Sequence, residues 1–485
     1  MRKRTVCLVL AVVLTAAVIA SCAGNTSNNT PSGTADAAAG SSNISTGSTA
    51  DIYADDLQPQ DFGGAPFRIL ARDESWLNVL YDTQQETGET INDAVYKRNR
   101  AIEARFNVAI SQQVTADVNS AFSKDVKSGS NDYEIFLPID RDALNFGAQG
   151  MIYKIADIPN IDLNKPFWNQ SLNKCLTIGG QLFFAYGAFN LSVYDYTHVL
   201  LFNKQTITDL GLDSPYDLVN SGNWTYDTYA QMAKAAVKDL DGNGLMDQND
   251  FWGYVSDPKQ VLPCFWISAG VQSISKSSAD IPQFTLQTDA KFAEVIAKIF
   301  TITYDNHSWY SSLVPAEPND YYMNGHTLFL DCNCKSIGDL RSVQTDFGIL
   351  PYPKYTADQP DYYSRVEAGD PAIVPVTAQN LNMIGTILEA LNSGSAQTVI
   401  PAYYDVALKE KYARDDESSK MLDIIFGNRI YDLGDTYWCT ILRDGIFLNM
   451  FTNNDRSLAS NLATVQPVID AAIDKVVTAL SASNQ

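Results

Sequence analysis

Between Asp239 and Asp250 the chain runs DLDGNGLMDQND, with side-chain oxygens at the first, third, fifth, ninth and twelfth positions and Gly244 at the sixth. That is the spacing of a calcium loop, in which oxygens at positions one, three, five, seven, nine and twelve surround a hard cation and a glycine at six makes the sharp turn. The ligand set is then Asp239, Asp241, Asn243, the backbone carbonyl of Leu245, Asp247 and Asp250. Carboxylates this close repel one another, and a divalent cation relieves the repulsion. Asp250 stands where a bidentate Glu is usual, so its shorter arm makes it the weakest expected ligand. The competing reading is an Asx-rich turn without an ion. A single loop, with no second copy and no Met-rich groove beside it, predicts one structural Ca2+ and no sensor.

Other chemistry is less marked. His198, His307 and His326 have no motif around them, and GxSxG, HExxH and glycine-rich phosphate loops are absent. Among 56 acidic residues a glycosidase pair can always be assembled on paper, but nothing singles one out. Aromatics are more informative, because a sugar offers one face of C–H bonds to a ring. Trp266, Trp76 and Tyr194 are candidates for that role, against the plain alternative of core positions; Trp224 and Trp252 are expected in the core. Cys332 and Cys334 lie two apart in an apolar run, which suits buried small hydrophobes better than a metal pair.

The elements that must position these residues alternate. Pro66–Ala71 is expected as a strand, Thr90–Phe106 as a helix with Ile91, Val95, Ile102 and Phe106 on one face, and Asn107–Ser111 and Tyr133–Ile139 as further strands. This β-α-β order predicts a mostly parallel sheet with helices on its faces, and ligands beyond its carboxyl edge. Asp73, Trp76, Asp140 and Arg141 fall there. Val199–Lys204 is a later strand, and Thr225 caps a helix whose inner face is Tyr229, Met232 and Ala236. Phe292–Phe300, Asp416–Phe426 and Val465–Leu480 are expected as helices, and Thr327–Cys332 and Phe347–Leu350 as strands returning to the first sheet.

The amino terminus sets the address. Arg2, Lys3 and Arg4 precede an apolar run from Val6 to Ala20 that is short for a bilayer span but suits a secretory signal. Ile19-Ala20-Ser21-Cys22 has the pattern of a bacterial lipobox, so residues 1–21 are expected to be removed and Cys22 to carry lipid. The Gly-, Ser-, Thr- and Asn-rich stretch within 22–60 cannot offset its ordering entropy and predicts a flexible tether. Loss of the three basic signal residues takes the formal charge from −22 to −25, which repels nucleic acid and anionic head groups. The membrane is met through the lipid anchor only, and the body is expected to be a monomer. Five cysteines remain, Cys175, Cys264, Cys332, Cys334 and Cys439, an odd and uneven set that is no disulfide framework.

The lipobox and tether, Phe202-Asn203-Lys204 before a helix ending in Gly-Leu, Asn223-Trp224-Thr225-Tyr226-Asp227, the Asp239–Tyr254 loop and Asp346–Pro353 together resemble the extracellular solute-binding proteins of ABC importers. The resemblance is to the sugar-type family that includes maltose-binding protein, and it covers the body from about residue 62. It implies an α/β, two-lobed periplasmic-binding-protein-like fold of type II, with discontinuous lobes joined by hinge strands and a ligand in the cleft. By position it gives lobe 1 as 61–200 with a return segment 326–365, and lobe 2 as 201–325 and 366–485. It makes Trp266 the ligand-stacking aromatic and Glu367–Asp370 the return to the second lobe. The chain departs where Ala368-Gly369 replaces Gly-Gly and where Asp331-Cys332 replaces a Gly-Pro-Trp. The resemblance implies a lipid-anchored protein on the outer face of the cell membrane, not an enzyme, that binds a mono- or oligosaccharide and passes it to permease subunits; the expected ligand contacts are Trp76, Asp140, Tyr194, Trp266 and Asp331. The alternatives are a secreted glycoside hydrolase with a carboxylate pair and a calcium-rigidified adhesion lipoprotein.

Overall fold

Phe67, Ile69, Leu70 and Ala71 are buried along β1 (Ala65–Arg72), the near-continuous apolar run of a strand covered on both faces. A computed structural model describes residues 52–482 apart from 75, 76, 78, 312–324, 338–339, 341–344 and 405–415. Cys22, the signal segment, the tether up to residue 51 and Trp76 therefore lie outside the described residues. β1 is the centre of a parallel sheet with β2 (Val108–Thr115) on one side and β3 (Ile135–Leu137) on the other. Between β1 and β2 runs α1 (Thr90–Phe106), capped by the Glu89 side chain and closed by Asn107 in the left-handed region. It buries Val95, Ile102 and Phe106, as its periodicity predicts. β3 leads into α2 (Asp140–Ala148). A helix from far along the chain, Leu381–Gly394, joins the same core through Ile384, Ile387, Leu388 and Leu391. Gly385 allows its approach, since a Cβ there would lie 1.8 Å from the Pro159 carbonyl oxygen.

The second sheet is mixed. Its strands are β4 (His198–Asn203), β5 (Trp252–Ser256), β6 (Trp309–Ser311), β7 (Thr327–Asn333) and β8 (Phe347–Leu350), in the order β8-β4-β7-β5-β6. β4 is antiparallel to β7 and β8, with Leu200 opposite Asp331, while β5 is parallel to β7 and β6. α3 (Tyr226–Ala236) starts at Thr225 in a capping box and buries Tyr229, Met232 and Ala236 as expected. α4 (Pro258–Ser268) follows β5, capped by Asp257. Trp224 and Trp252 are core residues, their indole N–H groups donating to the carbonyls of Pro351 and Asp247 at 2.9 and 2.8 Å.

Three sequence expectations need correction here. Thr327–Cys332 and Phe347–Leu350 pair with β4 in the second sheet and do not return to the first. The strands of the 326–365 segment thus belong with lobe 2. After residue 365 the chain passes to the first lobe, where Ile373 bridges Phe136 and Leu381–Gly394 packs on α1. Glu367–Asp370 is indeed a crossing, but in the opposite direction to that expected. A short apolar strand carries no mark of which sheet it joins, because pairing partners are non-local.

Two crossings run side by side. Thr197 and Val366 form an antiparallel bridge, and Glu367 N donates to Tyr196 O at 3.1 Å. Beside them β9 (Ser364–Arg365) pairs with β10 (Arg429–Ile430). These paired segments are the hinge strands of a two-lobed α/β fold.

Candidate functional site

The carboxyl ends of β1 and β7, the start of β4 and the hinge strands supply two sets of polar side chains, one around Arg72 and one around His198. In open α/β sheets this edge is where ligands bind. On the first lobe, Arg72 donates to Asp370 (Nη2 to Oδ1, 2.8 Å), to Glu74 (2.6 Å) and to the Tyr196 hydroxyl (3.3 Å). Arg72 and Glu74 keep 14% and 17% of their side-chain surface, so this pair reaches solvent. Leu77, Ile139, Tyr196 and Ala368 form a small apolar cluster of their own, with Tyr196 in common with the ion-pair set.

On the second lobe the centre is His198. Its Nδ1 lies 3.0 Å from Asp331 Oδ1 and its Nε2 lies 3.2 Å from Glu367 Oε2, which suits a protonated ring donating to both carboxylates. Burial alone would lower the ring's pKa; the neighbouring Cys264 and Asp331 more than reverse this and hold it well above the ordinary histidine value. Asp331 Oδ1 also accepts from the Tyr352 hydroxyl at 2.5 Å. Glu367 is within 3.5 Å of both Lys259 and Arg443, and within 4.0 Å of Arg365. Burial works against its charge, but Arg365, His198 and Arg443 hold its carboxyl well below the usual range. Arg365 is fully buried and binds Asp435 through two hydrogen bonds, Nε to Oδ2 at 2.6 Å and Nη2 to Oδ1 at 2.9 Å. Glu367, Lys259 and Asp444 retain 13%, 33% and 34% of their side-chain surface and are the part of this network that a solute can touch.

His198, Cys264 and Asp331 place one ligand atom each within 4.8 Å of one another. A metal there would face the guanidinium of Arg365, whose Nη1 is 3.1 Å from His198 Nε2 and 3.7 Å from Cys264 Sγ. Arg365 already supplies the positive charge, so the trio is a hydrogen-bonded knot.

The sequence-derived site residues separate. Asp140 is 1% exposed and lies at the start of α2, where its carboxylate accepts from Tyr431, Gly369 and Arg141. Asp331 belongs to the His198 knot. Tyr194 packs between Tyr403 and Phe426 with Arg429 4.2 Å over its ring, so it is a structural aromatic. Trp266 is fully buried against Phe292 and Phe447, and its indole N–H donates to Asp432 at 3.1 Å. The expectation that Trp266 stacks on a ligand meets a ring that has no exposed surface and is taken up by core contacts. His198, Arg365, Glu367, Asp435 and Arg443 were missed. A polar residue opening the apolar run VLLF and the charged sequence Arg365-Val366-Glu367 are the signals that mark them.

In the 239–250 loop the Asp239, Asp241 and Asp250 carboxylates offer oxygens within 4.8 Å of one another. Asp239 accepts from Gly242 and Gly244 N–H at 2.6 and 2.9 Å, chiefly the latter lowering its pKa, and Gly244 takes the left-handed conformation that position six requires. Asp250, expected to be the weakest ligand, is fully buried and receives Leu240 and Asp247 N–H at 2.8 and 2.7 Å. The donor set is hard oxygen throughout and fits a Ca2+. Cys332 and Cys334 are both buried in one apolar core.

Protonation ties the site to stability. Burial raises the carboxyls of Asp140 to about 6, of Asp370 to about 7 against the pull of Arg72, and of Glu389 to about 7, and His198 is raised as well. Each binds a proton more tightly folded than unfolded, so its stabilisation is present at low pH and lost as pH rises through the folded value. Glu367 has the opposite sign, but its contribution is lost only in acid below the usual carboxylate range. The melting temperature is expected to fall between about pH 5 and about pH 8. Calorimetry over that interval checks this, and a rise would contradict it.

No family model matches the chain, and no curated protein matches it in sequence. Solved structures do. A sugar transporter protein of Rhizobium etli in an open conformation is similar at a TM-score of 0.57 and 13% identity, over 86% of this chain and 100% of that one. UgpB of Mycobacterium tuberculosis, in complex with glycerophosphocholine, gives 0.56 and 12% over 85% and 99%. An ABC substrate-binding protein of Listeria monocytogenes in complex with cycloalternan gives 0.55 and 11% over 86% and 99%. At such identities the likeness is one of fold. The two sheets, their paired hinge strands and these similarities give one conclusion: the chain has the two-lobed α/β fold of the periplasmic-binding-protein-like class, type II.

Proposed function

We propose that this chain is the substrate-binding lipoprotein of an ABC importer, capturing a mono- or oligosaccharide between its lobes and delivering it unchanged to permease subunits. The observation that carries this reading is the hinge. Two lobes are joined by paired crossing strands, and partly buried polar groups that still reach solvent lie at the carboxyl edges of both sheets. Solved proteins of this fold bind cycloalternan or glycerophosphocholine, which supports a polyhydroxylated solute. Arg72, Glu74, Lys259, Glu367 and Asp444 then offer both donors and acceptors to hydroxyl groups, as a sugar needs. No step of bond breaking is required, and a monomer suffices. Anchoring is through Cys22 on the outer face of the membrane; no helix among the described residues is long and apolar enough to cross one.

A thermal-shift screen against mono- and oligosaccharides, with glycerophosphocholine as a separate arm, tests the reading. A cognate solute at about 100 times its Kd should stabilise the fold by about 2.7 kcal/mol and be recovered intact. Product formation would turn the reading to a hydrolase, and no stabilising sugar at all would remove it.

The 239–250 loop is assigned one structural Ca2+, held by Asp239, Asp241, Asn243, the Leu245 carbonyl, Asp247 and Asp250. Chelation is expected to lower the melting temperature, and Asp241→Asn to shrink that drop. Asp241 is the variant of choice because it accepts one backbone N–H, from Asn243, which an amide oxygen can still accept, whereas the buried Asp250 ties down two. An unmoved melting temperature in chelator would leave the loop as an ion-free turn.

A further inference from the structure

One carboxylate joins both lobes and the hinge. The loop Tyr431–Trp438 is anchored on the second lobe, where Asp432 accepts Trp266 Nε1 at 3.1 Å and both the N–H and hydroxyl of Ser273 at 2.6 Å. From that anchor it reaches the first lobe twice. The Tyr431 hydroxyl donates to Asp140 Oδ2 at 2.7 Å, and the Tyr437 hydroxyl donates to Asn145 Oδ1 at 2.9 Å, both on α2. The hinge is tied to the same carboxylate, because Gly369 N donates to Asp140 Oδ2 at 2.9 Å and Asp140 N donates to Gly369 O at 2.9 Å. Tyr186 adds a further hydroxyl at 3.3 Å and Arg141 N a bond to Oδ1 at 2.7 Å. First lobe, crossing strand and second-lobe loop thus meet at one buried acid.

We propose that Asp140 is a positioning residue that sets the angle between the lobes through Tyr431 and Gly369, and that protonation of this acid couples the angle to pH. The inference deepens the binding-protein reading, on which its consequence for ligand capture rests. Separation of the lobes would take the Tyr431 hydroxyl away and admit water to a carboxylate that is now sealed. An acid is more easily ionised in water than in a dry site, so the joined arrangement binds the proton more tightly and acid favours it. Burial sets that sign, outweighing the hydrogen bonds from Tyr431, Arg141 and Gly369, which favour the ionised form. The charged and titratable groups acting on Asp140 are Arg141 on α2, Asp370 in the hinge strand, Tyr186, and Tyr431 with Cys439 behind it, while Arg72 and Glu74 act on Asp370. Arg72 is engaged by Asp370 and Glu74, so Asp140 has no cation of its own in bidentate contact. With its carboxyl at about 6 when joined and 3.8 when free, the ratio of joined to separated lobes should fall about tenfold from pH 5 to pH 8.

Small-angle X-ray scattering of the ligand-free full chain between pH 5 and pH 8 reads this directly, with melting curves confirming that each variant is folded. The wild type should become more extended as pH rises. Asp140→Asn, neutral at every pH, should lose that shift, and Tyr431→Phe should be more extended than wild type at a given pH while retaining its fold. A wild type whose scattering does not move, an Asp140→Asn variant that keeps the shift, or a Tyr431→Phe variant indistinguishable from wild type would overturn the proposal. Because the readout needs no ligand, failure to find a sugar would remove the transport reading and leave this result standing.

Discussion

Replacing Arg365 by methionine is expected to destabilise the protein by about 3–5 kcal/mol, the usual cost of removing one member of a fully buried ion pair. Neither Arg365 nor Asp435 has any side-chain surface exposed, and their two hydrogen bonds are short. The substitution leaves the buried Asp435 carboxylate without its bidentate partner, facing Arg443 at 3.6 Å. It also strips a donor from Gln260 and a cation from beside Glu367. Urea unfolding of R365M, D435N and the double variant forms a thermodynamic cycle. The double variant should lose less than the two single variants together, because removing both charges leaves no orphan. Loss of less than about 1 kcal/mol in R365M would mean that the pair is solvated in solution and that the hinge is looser than described.

The second large effect is at Trp266. Trp266→Ala empties a fully buried site between Phe292 and Phe447 and should cost about 3–5 kcal/mol. Trp266→Phe keeps one aromatic ring, removes the donor to Asp432, which still has the Ser273 N–H and hydroxyl, and leaves a smaller cavity than alanine, so a smaller loss than for Trp266→Ala, about 1–3 kcal/mol, is expected. Sugar affinity in Trp266→Phe should stay within a few-fold of wild type, since the ring has no exposed surface. A large loss of affinity with an unchanged melting temperature would restore the role that the family resemblance implies for this residue.

Such reversals have a common origin. What the sequence by itself determined is local. The α1 helix lies where the spacing of Val95, Ile102 and Phe106 puts it, Thr225 caps α3, and the 239–250 loop folds around Gly244 with its carboxylates gathered, because each depends on residues within a dozen positions. The β-α-β order likewise pointed to an α/β sheet with helices on its faces, while the two lobes came from the family resemblance. Which sheet takes Thr327–Asn333 was decided only by tertiary structure, since any apolar strand can pair with any other and the choice lies with partners more than a hundred residues away. So was the site. Arg72 finds Asp370 across 298 positions and Asp140 finds Tyr431 across 291, and no spacing rule connects such pairs. Trp266 and Asp140 carried the residue types of ligand contacts, yet the fold sealed both, because a tryptophan N–H or a carboxylate can enter a core once a partner meets it there. Chemistry was legible in the composition of those segments; exposure, which decides whether that chemistry meets a solute or holds the hinge, arose from long-range packing alone.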